Sequence, residues 1–259
     1  MKHYVPGKTI YWKDLTILNK KEKFIELTVH LPWLFLSLLF AWYKLYFLAL
    51  PCSFMFFLTS LRQSHNAFHY ALGVSKKITS SILYLNSIGM LSSLHAVKFN
   101  HLRHHQYCLQ KEDIEGKAAT MAWWKAILYG PFFIFKLHYK ALLLAPPKVK
   151  KIIAFELILI IIFITVVLYQ DFFFLKYHIY SMIVGEFLSG FFAVWTVHHD
   201  CDEKLFSRTS RRKILNFFTY NMFYHTEHHL FPAVPTIKLP LLANRLDEKF
   251  PQYKEKAVF

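Results

Sequence analysis

Two long apolar blocks decide most of what this chain can become. Residues 25–61 carry only Glu26 and Lys44 as charges, and residues 152–197 are interrupted only by Glu156, Asp171, Lys176 and Glu186. A membrane-crossing helix needs about 20 mainly apolar residues, so each block is long enough for two. Lys44-Leu45 and Gln170-Asp171 mark the turns. The sequence therefore predicts an all-α integral membrane protein with two transmembrane hairpins, about 25–61 and 152–197, giving four spans. Residues 62–151 and 198–259 are left to form a helical cap, and one domain over 1–259 is the simplest organisation.

The charge pattern orients that arrangement. The net charge of +15 would suit a nucleic-acid partner, but the basic residues flank the apolar blocks instead of striping one face, which is the signature of the positive-inside rule. Nucleic acid is excluded on that ground. Most Lys and Arg lie in the N-terminal arm, the middle segment and the tail, so both termini and the cap are expected on the cytoplasmic side. The polar, basic first 24 residues lack the short apolar core and small-residue cleavage site of a removable signal peptide. Cys52, Cys108 and Cys201 show no C-x-x-C spacing and read as reduced thiols.

Between the hairpins, residues 81–94 and 121–145 read as helices lying in the membrane interface, with aromatic anchors and snorkelling lysines. A fifth span within 121–145 is the competing reading, opposed by Gly130-Pro131 and by the lysines that punctuate the segment. Residues 235–250 place Ile237, Leu239, Leu242 and Leu246 at the spacing of a short amphipathic helix.

The histidines then supply the chemistry. His65 and His69 are spaced i, i+4. His101, His104 and His105 follow the pattern H-x-x-H-H, and so do His225, His228 and His229. His198-His199 directly follow the last apolar run. Ten of the fifteen histidines thus sit in four short clusters, all on the expected cytoplasmic side. Residues three and four apart share a helix face, so each cluster can aim two or three imidazoles at one point. Neutral imidazole suits iron, copper, zinc and nickel, and four converging clusters offer enough nitrogen for two ions.

Several metal classes drop out. H-E-x-x-H is absent, which removes a zinc metalloprotease. No Glu precedes a His by three residues, which removes the carboxylate-bridged site of ferritin-like bundles. Haem needs one or two axial histidines, not ten in boxes. A nitrogen-rich, dinuclear iron site at the membrane surface is what remains. Glu186, an acid inside the last span, is a site candidate by position and equally a packing residue.

The three boxes around two hairpins resemble the membrane fatty acid desaturase superfamily. The run Asn221-Met222-Phe223-Tyr224-His225-Thr226-Glu227-His228-His229-Leu230-Phe231-Pro232 is similar to that family's third box almost residue for residue, and the acidic Asp113 trailing the second box is similar too. The resemblance implies two iron ions held by His65, His69, His101, His104, His105, His225, His228 and His229, with His199 as a ninth ligand just after the last span. His198 is then a neighbour, and His198, Asp200 and Asn221 are candidates for orienting ligands. It further implies O2 as co-substrate and attack on an unactivated C–H bond of a lipid or acyl chain, with a fatty acyl-lipid desaturase as the first expectation. A lipid or carotenoid hydroxylase or ketolase is the alternative within the superfamily. A non-enzymatic membrane metal-binding or transport protein is a more distant one, since the spans hold only His30 and His178, neither central. No His-Pro-Gly-Gly stretch is present, so electrons are expected from a separate donor of ferredoxin or cytochrome b5 type.

Overall fold

In the computed structural model of the protein, residues 9–202 and 204–258 are described. Every regular element among them is helical, and the one β feature is an isolated bridge between Thr209 and Ala257. The all-α expectation is met.

The chain enters through α1 (Lys20–Thr28), whose Asn19 and Glu22 form a reciprocal cap. After a break at residues 29–30 it continues as α2 (Leu31–Trp42). A turn with Lys44 at φ 58° leads into α3 (Tyr46–Phe68). The Ser37 and Ser53 hydroxyls, 2.7 Å apart, tie α2 to α3. Helices α4 (Lys76–Met90) and α5 (Leu94–Tyr107) follow, each capped by a serine, Ser75 and Ser93.

Helix α6 (Trp123–Leu144) departs from expectation, because it runs unbroken through Gly130-Pro131. The glycine is there for contact: a Cβ at residue 130 would stand 1.6 Å from the Phe187 carbonyl. That carbonyl belongs to α8 (Phe173–Ser189), which follows α7 (Pro147–Tyr169) across a turn with Asp171 at φ 58°. A π segment, Gly190–Trp195, then leads into the single turn α9 (Thr196–His198).

Among the described residues, four stretches are long and apolar enough to cross a membrane: Lys20–Trp42, Trp123–Leu144, Pro147–Tyr169 and Phe173–His198. Helix α3 is outside that set because polar residues from Arg62 onward dilute its apolar run. Large side chains such as Phe35, Phe132, Phe135, Ile158, Ile161 and Tyr180 are exposed on these helices. An exterior this apolar is unsuited to water.

The remaining helices, α10 (Lys213–Phe218), α11 (His225–Leu230) and α12 (Leu239–Lys249), build the C-terminal part. Leu239, Leu242 and Leu246 of α12 are buried as the amphipathic pattern required. They pack with Leu230, Phe231 and Val234, and with Ile10 and Leu15 near the start of the chain. The Arg245–Asp14 ion pair at 2.7 Å and the Lys238–Glu22 pair join the same two regions.

Candidate metal centre

Each histidine box is held by a buried polar anchor. Under the first box, Arg62 pairs with Glu26 at 2.5 and 2.8 Å, and Asn66 donates to the same carboxylate at 2.8 Å. Arg62 Nε also donates to the Tyr220 carbonyl at 2.9 Å, tying α3 to the turn after α10. The second box rides on α5, whose first turn is fixed from below by Glu156 of α7. That carboxylate accepts from Ser87 Oγ at 2.8 Å and Ser93 Oγ at 2.5 Å, and lies 2.6 Å from His95 Nδ1. In the third box, Glu227 accepts from Thr209 Oγ1 and Arg211 Nη2, both at 2.6 Å, while Arg211 also grips Asp247 of α12. Buried charges without such partners would be costly, so these networks fix the backbones that present the imidazoles.

The imidazoles converge into two adjoining groups. His65, His69, His101, His105 and His228 form one, and His104, His198, His225 and His229 the other. Within the first, Nε2–Nε2 separations are 3.1 Å for His69–His101, 3.1 Å for His101–His105 and 2.9 Å for His105–His228. Within the second they are 3.0 Å for His104–His198, 2.9 Å for His198–His225 and 3.1 Å for His225–His229. The His105 and His229 rings stack at 4.2 Å where the groups meet.

These separations fit metal ions. Nitrogens about 2.1 Å from one ion, and at right angles about it, lie about 3.0 Å apart. The outer ring nitrogens make the same point. His101 Nδ1 lies 2.8 Å from Glu115 Oε1, His104 Nδ1 2.8 Å from Asp113 Oδ2, and His198 Nδ1 2.8 Å from the Phe206 carbonyl. A backbone carbonyl only accepts, so His198 donates from Nδ1 and turns a bare Nε2 lone pair inward. When His104 is neutral and donates to Asp113 it does the same, and two lone pairs then stand 3.0 Å apart with no proton between them. A cation relieves that clash. Hydrogen bonds of this kind orient metal-binding histidines and raise their basicity.

Electrostatics agree. Burial, reinforced by the neighbouring imidazoles, holds His101, His105, His225, His228 and His229 well below the ordinary histidine pKa, in the neutral ligand form. His104 differs: burial pulls it down, but the hydrogen bond and charge of Asp113, with a smaller contribution from Glu115, outweigh burial, and its net shift is upward. Asp113 thus draws positive charge to the second group. Asp113 also accepts from Leu109 N and Gly116 N, at 2.9 and 2.7 Å, and a Cβ at Gly116 would collide with it at 2.1 Å. Burial raises Glu115 to about 7. Cys108 lies near His104 and Asp113, but burial pushes its thiol pKa up, away from the thiolate a metal would need.

One expectation is corrected. His199 joins neither group: its ring lies flat on Trp195 at 3.9 Å and its Nδ1 lies 2.8 Å from the Trp195 carbonyl. His198 stands with His104, His225 and His229 in its place. The physical reason is the π segment just before it, whose wider turn rotates the following residues relative to an uninterrupted α-helix. Asp200 is also misplaced, with an exposed side chain 3.5 Å from Arg208. Asn221 serves the backbone, sitting at φ 65° in a left-handed turn beside Tyr220 at φ 50°; asparagine tolerates this conformation. The remaining eight expected histidines are all brought together. Glu115, Glu26, Arg62 and the Phe206 carbonyl escaped the sequence reading. The D-x-E spacing of Asp113 and Glu115 just after the second box was the available signal for the first of these.

Against the two groups lies a cavity of about 700 Å³ that His65, His101, His198 and His225 line at one end. Its walls are otherwise chiefly apolar, and Glu186, a buried acid on α8, is one of the few polar groups among them. Leu50 and His65 both line it and stand fifteen residues apart on α3, about 22 Å along a helix.

A histidine-rich centre beside a long apolar cavity, carried by helices able to cross a membrane, defines a membrane protein of metal-binding type. The family model for fatty acid desaturases matches residues 42–257, and the chain belongs to that family. No curated protein matches it.

Proposed function

We propose that this protein is an oxygen-dependent, di-iron membrane oxidoreductase that introduces a double bond into the acyl chain of a lipid. The observation that carries the reading is the meeting of nine converging imidazoles with an apolar cavity that four of them, His65, His101, His198 and His225, line. His65, His69, His101, His105 and His228 would hold one iron, and His104, His198, His225 and His229 the other. When bound, the iron pair supplies the O2 activation needed to take hydrogen from an unactivated C–H bond.

The chain's own residues do the positioning. Asp113 and Glu115 fix the ring orientations of His104 and His101. Phe68, Met90, Leu94 and Leu137 wall the cavity and exclude water. The cavity's length along α3 lets an extended chain lie with one carbon pair beneath His65 and His101, and positioning of this kind is worth many orders of magnitude in rate.

The same contacts support a topology. His105 and His198 lie in one centre, so the chain between them crosses the bilayer an even number of times, although three candidate spans lie there. Helices α7 and α8 suit the crossing pair. Helix α6, with exposed Trp123 and Trp124 and with Lys125, Lys136 and Lys140 along it, suits the interface. Asp14 and Glu22 bond to the C-terminal part, so a crossing through α1–α2 must be reversed by α3 to deliver His65. The outcome is two hairpins with the centre and both termini on one side, which the basic flanks make cytoplasmic. Electrons would come from a separate ferredoxin- or cytochrome b5-type donor docking on that basic face.

The test is mass spectrometry of total lipids from the host with and without the gene, with His104→Ala as control. A pool of lipids carrying one double bond fewer in both altered strains is expected. Loss of an added oxygen instead would make the enzyme a hydroxylase or ketolase, and an unchanged lipidome would overturn the reading.

A further inference from the structure

The cavity is walled unevenly. On one side Phe68, Met90, Leu94 and Leu137 are at most 2% exposed. On the other, Leu50 and Phe54 of α3, Tyr180 and Val184 of α8, and Phe192 of the π segment line the cavity and are also 45–64% exposed. Tyr180, Val184 and Phe192 belong to the membrane-length stretch Phe173–His198, and Leu50 and Phe54 to α3, the returning helix of the proposed first hairpin, so in that topology what they face from outside is hydrocarbon. The cavity therefore has a side opening, a cleft between α3 and α8.

The cleft is framed by specific contacts. Ser53 Oγ and Tyr177 OH, 3.0 Å apart, pin the two helices together at the end far from the histidines. The Phe54 and Phe192 rings meet edge-on at 5.9 Å nearer the centre. Behind them Gly185 allows α8 to press on Phe57, whose ring a Cβ there would approach to 2.7 Å. Aromatic rings meeting edge to face gain only about 0.5–1.5 kcal/mol, and rings this exposed can swing aside.

The lining also bears on what passes through. Among the described residues it includes no lysine or arginine. An acyl thioester on a water-soluble carrier would bring an anionic, phosphate-bearing head, which proteins ordinarily meet with cationic side chains. An acyl chain already in the bilayer needs no such site. It passes from one apolar medium to another, and fit to the cleft selects it rather than a hydrophobic gain.

We propose that the cavity is loaded sideways from the bilayer, through the α3–α8 cleft and past the Phe54–Phe192 pair, by the acyl chain of an intact membrane lipid. This rests on the reading of the histidine centre as one that acts on alkyl chains, and it names the form in which the chain arrives.

The test places the full-length, iron-loaded protein in phosphatidylcholine vesicles doped with a phosphatidylcholine carrying a mid-chain diazirine. After irradiation the labelled residues are mapped. Adducts on residues 50–58 and 180–192 are expected. Val184→Trp, a bulky change at an exposed position, should cut that labelling by about tenfold while iron content stays unchanged, and Tyr180→Trp provides a second block. Labelling confined to other lipid-facing residues, or cleft labelling that neither block diminishes, overturns the proposal. Turnover assays on the same vesicles and on a soluble acyl thioester separate the two claims. Turnover of the thioester alone, without cleft adducts, sinks the portal and leaves the oxidoreductase reading intact. Cleft adducts with no turnover of any acyl chain do the opposite.

Discussion

The two histidine groups are built by different means. The five-histidine group draws four of its members from i, i+4 pairs on long helices, His65 on α3 with His69 at its C-terminal cap, and His101/His105 on α5. Its ring nitrogens converge because neighbouring helical turns share a face, and among the described residues its orienting contact is Glu115. The four-histidine group joins α5, the turn after the π segment, and α11. It depends on Asp113, which three chain groups hold in place, and on the Phe206 carbonyl. Both groups use box spacing, including the i, i+4 pair His225/His229 in the second, but only the second needs a tertiary rotation, to bring in His198. The second should accordingly be the more easily lost.

The largest expected effect follows from the one-residue displacement. His198→Ala should remove one of the two ions and abolish turnover, whereas His199→Ala, next door, should leave iron content unchanged. Metal analysis of both purified variants checks this, and the reverse ranking would restore His199 to the site. Next come the anchors. Arg62→Ala breaks a pair in which Glu26 is fully buried and should cost about 3–5 kcal/mol. Arg211→Ala removes a partly exposed partner of Glu227 and should cost less. Thermal unfolding in detergent orders the two, and equal losses would mean that the first box has no special dependence on its anchor.

Smaller effects should separate the orienting acids. Asp113→Asn should weaken metal retention by about 10–100-fold, read as the chelator concentration that strips half of the iron. Glu115→Gln should fall at the lower end of that range, because at His104 Asp113 supplies both a hydrogen bond and the larger charge effect, and Glu115 adds only a smaller charge effect. Equal sensitivity would erase the proposed distinction between the groups. Gly116→Ala should resemble Asp113→Asn, since a Cβ at that position collides with the same carboxylate.

Much of this was legible in the sequence, for reasons that the contrast explains. Eight of the nine converging histidines lie in boxes whose spacing alone puts them on one face. The helices and turns around Lys44 and Asp171 followed from apolar length. His198 was not legible, because a π segment leaves no mark in composition, and an adjacent histidine doublet permits a one-residue slip. Continuity of α6 through Gly130-Pro131 was missed because the glycine's role is contact with α8, which no local pattern reveals. Glu26 was visible only as a stray charge in an apolar block, and it took the fold to bring Arg62 and Asn66 to it.

The most direct measurement is metal analysis with Mössbauer spectroscopy on protein purified in detergent after growth with enriched iron. Two irons per chain, one for each histidine group, in nitrogen-rich environments and falling to one in His198→Ala, are expected. Zinc or copper in place of iron, or a single ion that His198→Ala leaves untouched, would contradict the account.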